Sequence, residues 1–164
     1  MTVFHGGLSE VVHPEIRRGR FVGDFGIGFY TTSSIEQARR FVRTKGAREG
    51  RTSGFVSEYD LDGRLFTDAF KGLVFTDPTR EWAEFVLANR RHPGFSHDYD
   101  YVRGPVANDQ VYASFALFEA GIISFEMLID RLKVRRLFDQ ILFHSEAALA
   151  LLSFVRSEAV AWEK

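Results

Sequence analysis

The chain has 164 residues, 45% of them apolar and 15% aromatic, with 17 Phe, which suits one domain built around a Phe-rich core. Its 21 basic and 22 acidic side chains leave a formal charge of −1, so the broad basic footprint of non-specific nucleic-acid binding is excluded, though a local patch is not. There is no cysteine, which rules out disulfides and thiolate metal sites and fits the cytoplasm.

No run reaches the ~18 consecutive apolar residues of a membrane span, and Met1 to Glu10 lacks the basic and then apolar blocks of a cleavable signal. No membrane partner is expected. The expected location is the cytoplasm, or another cell reached without such a signal.

Taken in order, Thr2 to His5 reads as a short apolar strand ending at Gly6-Gly7. Leu8 to Gly23 is irregular, with Pro14 and a basic cluster at Arg17, Arg18 and Arg20. That cluster is either a solvated loop or a grip on pyrophosphate oxygens. Gly26 to Thr32 forms a second strand. Ser33 or Ser34 then caps a helix whose buried stripe is Ile35, Ala38, Phe41 and Val42. Lys45 to Gly54 reads as a basic, Gly-rich loop. Phe55 to Leu61 alternates like a half-buried strand and is closed by the turn signal Asp62-Gly63. Leu65-Phe66 and Leu73-Val74-Phe75 read as short strand pieces.

Asp77-Pro78 opens the next helix, with Trp82, Phe85 and Val86 on its core face and an end near Arg90-Arg91. His92-Pro93-Gly94 breaks the chain, and His97 to Asp100 reads as loop. Tyr99 to Val106 is a strand that Gly104-Pro105 marks as an edge or a bend. Asn108-Asp109 caps a helix bearing Tyr112, Phe115, Ala116 and Phe118, which Ala120-Gly121 ends. Ser124 caps another, with Phe125, Leu128, Ile129 and Leu132. Val134 to Ser145 holds the last strand, centred on Gln140 to Phe143. Ser145 caps a final helix that packs Ala148, Leu149 and Leu152 inward, and a polar-ended tail follows Phe154. About six strands and five helices, without β-α-β alternation or a phosphate-binding Gly-x-Gly-x-x-Gly turn, predict a mixed α+β sandwich.

The ordered motifs carry a resemblance. His5-Gly6, then Asp24-Phe25-Gly26-Ile27-Gly28-Phe29-Tyr30-Thr31-Thr32, then the capped helix, resembles the ADP-ribosyltransferase superfamily of His-Tyr-Glu type. With Gly104-Pro-Val-Ala-Asn-Asp109 and Gln140-x-x-Phe143, residues 3–155 resemble one bacterial family within it. The resemblance implies a single α+β domain of that fold over 1–164. It implies an NAD-dependent mono-ADP-ribosyltransferase, a toxin or effector, whose acceptor is a protein, a nucleic acid or a small molecule, and for which an inhibitory partner protein is conceivable. The alternatives are a non-catalytic module binding NAD or ADP-ribose, and an NAD glycohydrolase.

Such transfer breaks the nicotinamide–ribose bond through an oxocarbenium-like state. The resemblance assigns His5 to a ribose hydroxyl of the adenosine half, Gly6 to the nicotinamide amide and Tyr30 to stacking on the nicotinamide ring. Gln140 stands where the typical enzyme has Glu. An amide keeps a hydrogen bond but gives up the charge and cannot serve as a general base, a change worth about 3 kcal/mol of barrier. His5, Tyr30 and Gln140 are therefore the candidate catalytic trio.

The candidate cofactor contacts are His5, Gly6, Gly7, Arg18, Asp24, Phe25, Gly26, Gly28, Tyr30, Thr31, Asn108 and Asp109. Several have bland readings: a satisfied strand-end histidine for His5, core aromatics for Phe25 and Tyr30, turn glycines, and a helix cap for Asn108-Asp109. With Gln140 in place of Glu, three outcomes stay open: the acceptor supplies its own activation, another carboxylate, Asp109 first among the candidates, enters the site, or the fold binds NAD without turning it over. His13, His92, His97 and His144 show no metal-ligand spacing, and no metal is assigned.

Overall fold

Alternation along the first strand decides which way the chain faces. The computed structural model describes residues 1–18, 22–92, 94–107, 109–133 and 137–163. In β1 (Thr2–Gly7), Val3 points to one side and Phe4 to the other, where it joins Ala38 and Val42 of α1 (Ile35–Arg48). β1 pairs antiparallel with β3 (Ser53–Leu61), which pairs antiparallel with β7 (Leu152–Ala161). The first sheet is therefore β1-β3-β7. Helix α1 covers its outer face through Val56 and Val160.

The second sheet has the order β2-β6-β5-β4, from β2 (Phe29–Thr31), β4 (Gly72–Val74), β5 (Tyr101–Pro105) and β6 (Asp139–Phe143). All its neighbours are antiparallel except β4 and β5. Val3, Tyr59 and Leu61 of the first sheet meet Phe29, Tyr101, Ile141 and Phe143 of the second in a shared core. On the far side, α2 (Arg80–Arg91), α3 (Asp109–Glu119) and α4 (Phe125–Lys133) bury Trp82, Val86, Phe115, Leu128 and Leu132 against Val102 and Leu142. Burial of each such side chain stabilises the fold by roughly 1.5–3 kcal/mol. The one-turn α5 (Glu146–Leu149) leads into β7. The sheets are joined where Phe4 and Thr32 exchange backbone hydrogen bonds of 2.8 and 2.9 Å. The chain is thus the mixed α+β protein expected, and among the described residues no helix is long and apolar enough to cross a membrane.

Hydroxyl caps start the helices where the sequence placed them. Ser34 Oγ accepts from Gln37 N at 3.2 Å, and Ser145 Oγ accepts from Ala148 N at 3.2 Å, each worth ~1 kcal/mol. Elsewhere the chain departs from expectation. The tail after Phe154 is mostly strand β7, and Leu152 sits in that strand rather than in a helix. Its partner β3 supplies the ladder that local pattern does not reveal. Helix α1 continues to Arg48 instead of yielding to a loop at Lys45, because Gly46 packs beneath Trp162. Phe41 is 46% exposed rather than buried.

Leu65-Phe66 lie in a 3-10 turn, Gly63–Phe66, capped by Asp62, and Thr79 rather than Asp77 caps α2. The second strand shortens to Phe29–Thr31 because a tight turn occupies 23–26. β5 is interior, between β6 and β4, and its proline is tolerated as the strand's last residue.

Candidate functional site

The turn before β2 organises the site. Gly23 and Gly26 exchange N–H···O bonds of 3.2 and 3.1 Å, leaving Asp24 and Phe25 at the tip. Gly26 has φ +103°, a conformation strained for any other residue. Phe25 is fully buried, within 6.2 Å of the Phe75 and Phe85 rings, so its bland reading as a core aromatic is the one observed. Tyr30 latches the turn from inside: its hydroxyl donates to the Gly26 carbonyl at 2.7 Å and accepts from Phe25 N at 3.0 Å. His97 Nε2 donates to the Phe25 carbonyl at 2.7 Å, and His144 Nδ1 to the Ile27 carbonyl at 2.6 Å. The two imidazoles lie 4.4 Å apart.

Held this way, Asp24 turns its carboxylate inward and is only 5% exposed. Oδ1 accepts from the Tyr112 hydroxyl at 2.7 Å, and Oδ2 accepts from Gln140 Nε2 at 3.1 Å and Ala107 N at 3.2 Å. Gln140 Nε2 also lies 3.4 Å from the Pro105 carbonyl. Both neighbours are acceptors, which fixes the amide orientation. Burial pushes the Asp24 carboxyl above its ordinary value, while the hydrogen bonds from Tyr112, Gln140 and Ala107 and the charge of Arg90 pull it back.

Outside the carboxylate lies a cleft of about 340 Å³ lined by Val22, Gly23, Asp24, Asn89, Arg90 and Tyr112. The Arg90 guanidinium sits 4.3 Å over the Tyr112 ring, a cation–π contact.

Tyr30 stands opposite Leu142 in the β2–β6 register, so Tyr30, Leu142 and Gln140 share the helix-facing side of the second sheet. Burial pushes the Tyr30 phenol well up, and the charges of Asp24 and Tyr112 add to it. His5 is on the other side. Its ring stacks on Phe29 at 4.4 Å, and Nδ1 donates to the Tyr30 carbonyl at 2.7 Å. Because a carbonyl only accepts, the neutral imidazole carries its proton on Nδ1 and offers Nε2 as an acceptor. Burial, with help from Lys45 and Arg17, pushes this histidine down to about 4.

The expected trio is thus divided. Gln140 donates to the Asp24 carboxylate and Tyr30 holds the turn that carries Asp24, whereas the His5 ring touches that group only through the Tyr30 backbone. Gly6 faces α1, where a Cβ would lie 2.6 Å from the Ala38 carbonyl oxygen; at Gly28 one would lie 2.3 Å from Leu142 Cδ1. Both glycines therefore permit close packing. Gly7 borders the His5 ring. Thr31 is buried, its Oγ1 without a hydrogen-bond partner among the described residues, and Arg18 is exposed in the segment before the turn. Asn108 and the side chain of Asp109 lie outside the described residues. Among the described side chains, the carboxylate that meets Gln140 is that of Asp24.

Tyr112, Asn89 and Arg90 escaped the sequence reading, in which Tyr112 counted only as part of an apolar helix face. Nothing in local spacing marks them, since α2, α3 and the 23–26 turn meet only in the fold. Among the described residues no group of three or more His, Asp or Glu is placed to hold a metal ion.

A family model described as "Protein of unknown function (DUF3990)" matches residues 1–154. No curated protein and no solved structure matches the chain.

Proposed function

We propose that this chain, which belongs to the DUF3990 family, is an NAD-dependent mono-ADP-ribosyltransferase with an ADP-ribosyltransferase-like fold. The observation that carries the reading is that Tyr30 and Gln140, from distant parts of the chain, share one face of neighbouring strands behind Asp24, which lines a polar cleft. In this reading NAD enters the cleft, an aromatic wall holds the nicotinamide and Gln140 belongs to the ribose side. His5 secures the Tyr30 strand through its carbonyl and keeps Nε2 as an acceptor for a sugar hydroxyl. The acceptor of ADP-ribose is a protein, a nucleic acid or a small molecule, and the protein works in the cytoplasm as a toxin or effector.

One observation favours a second reading, a non-catalytic NAD or ADP-ribose-binding module. The Tyr30 hydroxyl is consumed by the 23–26 turn, so part of the motif serves the fold itself. Nicotinamide release from NAD by the purified protein separates the readings. Release that disappears in Tyr30→Ala, with circular dichroism unchanged, supports the enzyme. Bound NAD without release supports the module, and free ADP-ribose with no labelled acceptor marks a glycohydrolase. Neither binding nor release removes NAD from the account.

A further inference from the structure

Resting on the transferase reading, we infer that Asp24 supplies the negative charge facing the ribose cation, and that Gln140 is a positioning residue for it. Cleavage moves the electron pair of the ribose C1′–N bond onto the nicotinamide nitrogen. The neutral ring leaves and a positive charge stays on the ribose. A neutral glutamine amide cannot balance that charge, but a carboxylate 3.1 Å from the same amide can. Among the side chains the structure describes, Asp24 is the buried acid, and it lines the cleft.

A carboxylate has about four lone-pair directions. Ala107 N and Gln140 Nε2 use those of Oδ2, and the Tyr112 hydroxyl uses one of Oδ1. Among the described residues nothing else donates to Oδ1, which leaves it a direction for a ligand. The geometry is set in advance, since Tyr30, His97 and His144 all hold the 23–28 segment by its carbonyls. The Arg90 charge at the cleft favours the ionised form. When the incoming nucleophile bonds to C1′, its proton passes to Asp24 and from there to water, which restores the carboxylate.

The placement also redefines what a glutamate at 140 would do. It would put a second carboxylate against Oδ2, where the pair must share one proton. A charge at 140 therefore compensates only when Asp24 is neutral.

The test measures nicotinamide release, and separately NAD affinity by calorimetry, for the native protein, Asp24→Asn, and Asp24→Asn with Gln140→Glu. Asp24→Asn is expected to lose a hundredfold or more in kcat with affinity changed less than about threefold, and the double variant to regain at least tenfold. The native kcat–pH profile is expected to rise with ionisation of one carboxyl, and that limb to move to higher pH in Tyr112→Phe, which removes a hydrogen bond to the ionised form. Native release with Asp24→Asn within threefold overturns the inference and leaves the transferase reading standing. A limb unmoved in Tyr112→Phe overturns it too, and does so even if Asp24→Asn fails to fold. Absence of release from the native protein ends both.

Discussion

The His5 imidazole gives its Nδ1 proton to the Tyr30 carbonyl and lies flat on Phe29. A second proton would put a cation into a half-buried site already facing Lys45 and Arg17, which is why its pKa falls from the ordinary 6.5 to about 4. The sign of the linkage follows. The unfolded chain takes up the proton first, so His5 contributes stability that is present above pH 6.5 and lost as pH falls towards 4. The loss amounts to about 3 kcal/mol at most. Asp24 acts in the opposite sense, because its raised pKa makes the folded state the better proton binder on the acid side. Urea unfolding of native protein and His5→Asn across pH 7 to 4 isolates the histidine: the native curve should fall more steeply, and parallel curves would refute the assignment. His5-Gly6 was legible as a unit at this scale because the pair is contiguous. That Asp24 meets Gln140 was not legible, since the hydrogen bond joins residues 116 apart.

Between elements, the contact of β1 with α1 depends on the missing side chain of Gly6. A Cβ there would stand 2.6 Å from the Ala38 carbonyl oxygen and 2.9 Å from Val42 Cγ2. Neither the helix backbone nor a fully buried valine can yield without moving the helix. Gly6→Ala should therefore cost about 1–3 kcal/mol in urea unfolding. It should also shift the amide signals of α1 more than those of α4, which packs on the opposite side of the molecule. An unchanged midpoint would show that α1 rides free of β1. The helices themselves were readable from capping hydroxyls and apolar periodicity, both local signals. Short strands were less so, because Phe29–Thr31 carries too few residues for alternation to show and exists by virtue of its ladder with β6.

For the whole molecule, β3 is the middle strand of the first sheet and depends on β7 along nine register pairs. A chain ended after Leu151 would strip one side of that ladder and uncover Val56 and Tyr59. Given the 5–15 kcal/mol that hold typical domains together, the loss should abolish folding. The expected readout is the disappearance of a cooperative urea transition; a transition that persists would mean β1, β3 and α1 suffice.

The sequence by itself determined the α+β class, the placement of the α1 and α5 caps and the apolar faces of the main helices. These depend on neighbours a few residues away, where capping, periodicity and turn chemistry act. Only the tertiary structure decided that the last ten-residue strand closes the first sheet and that the His5 ring lies across the sheet from Tyr30 and Gln140. It alone decided, too, that Asp24 is the acid at the cleft. Each of those outcomes rests on hydrogen bonds and burial between distant segments, and such contacts leave no mark on local spacing.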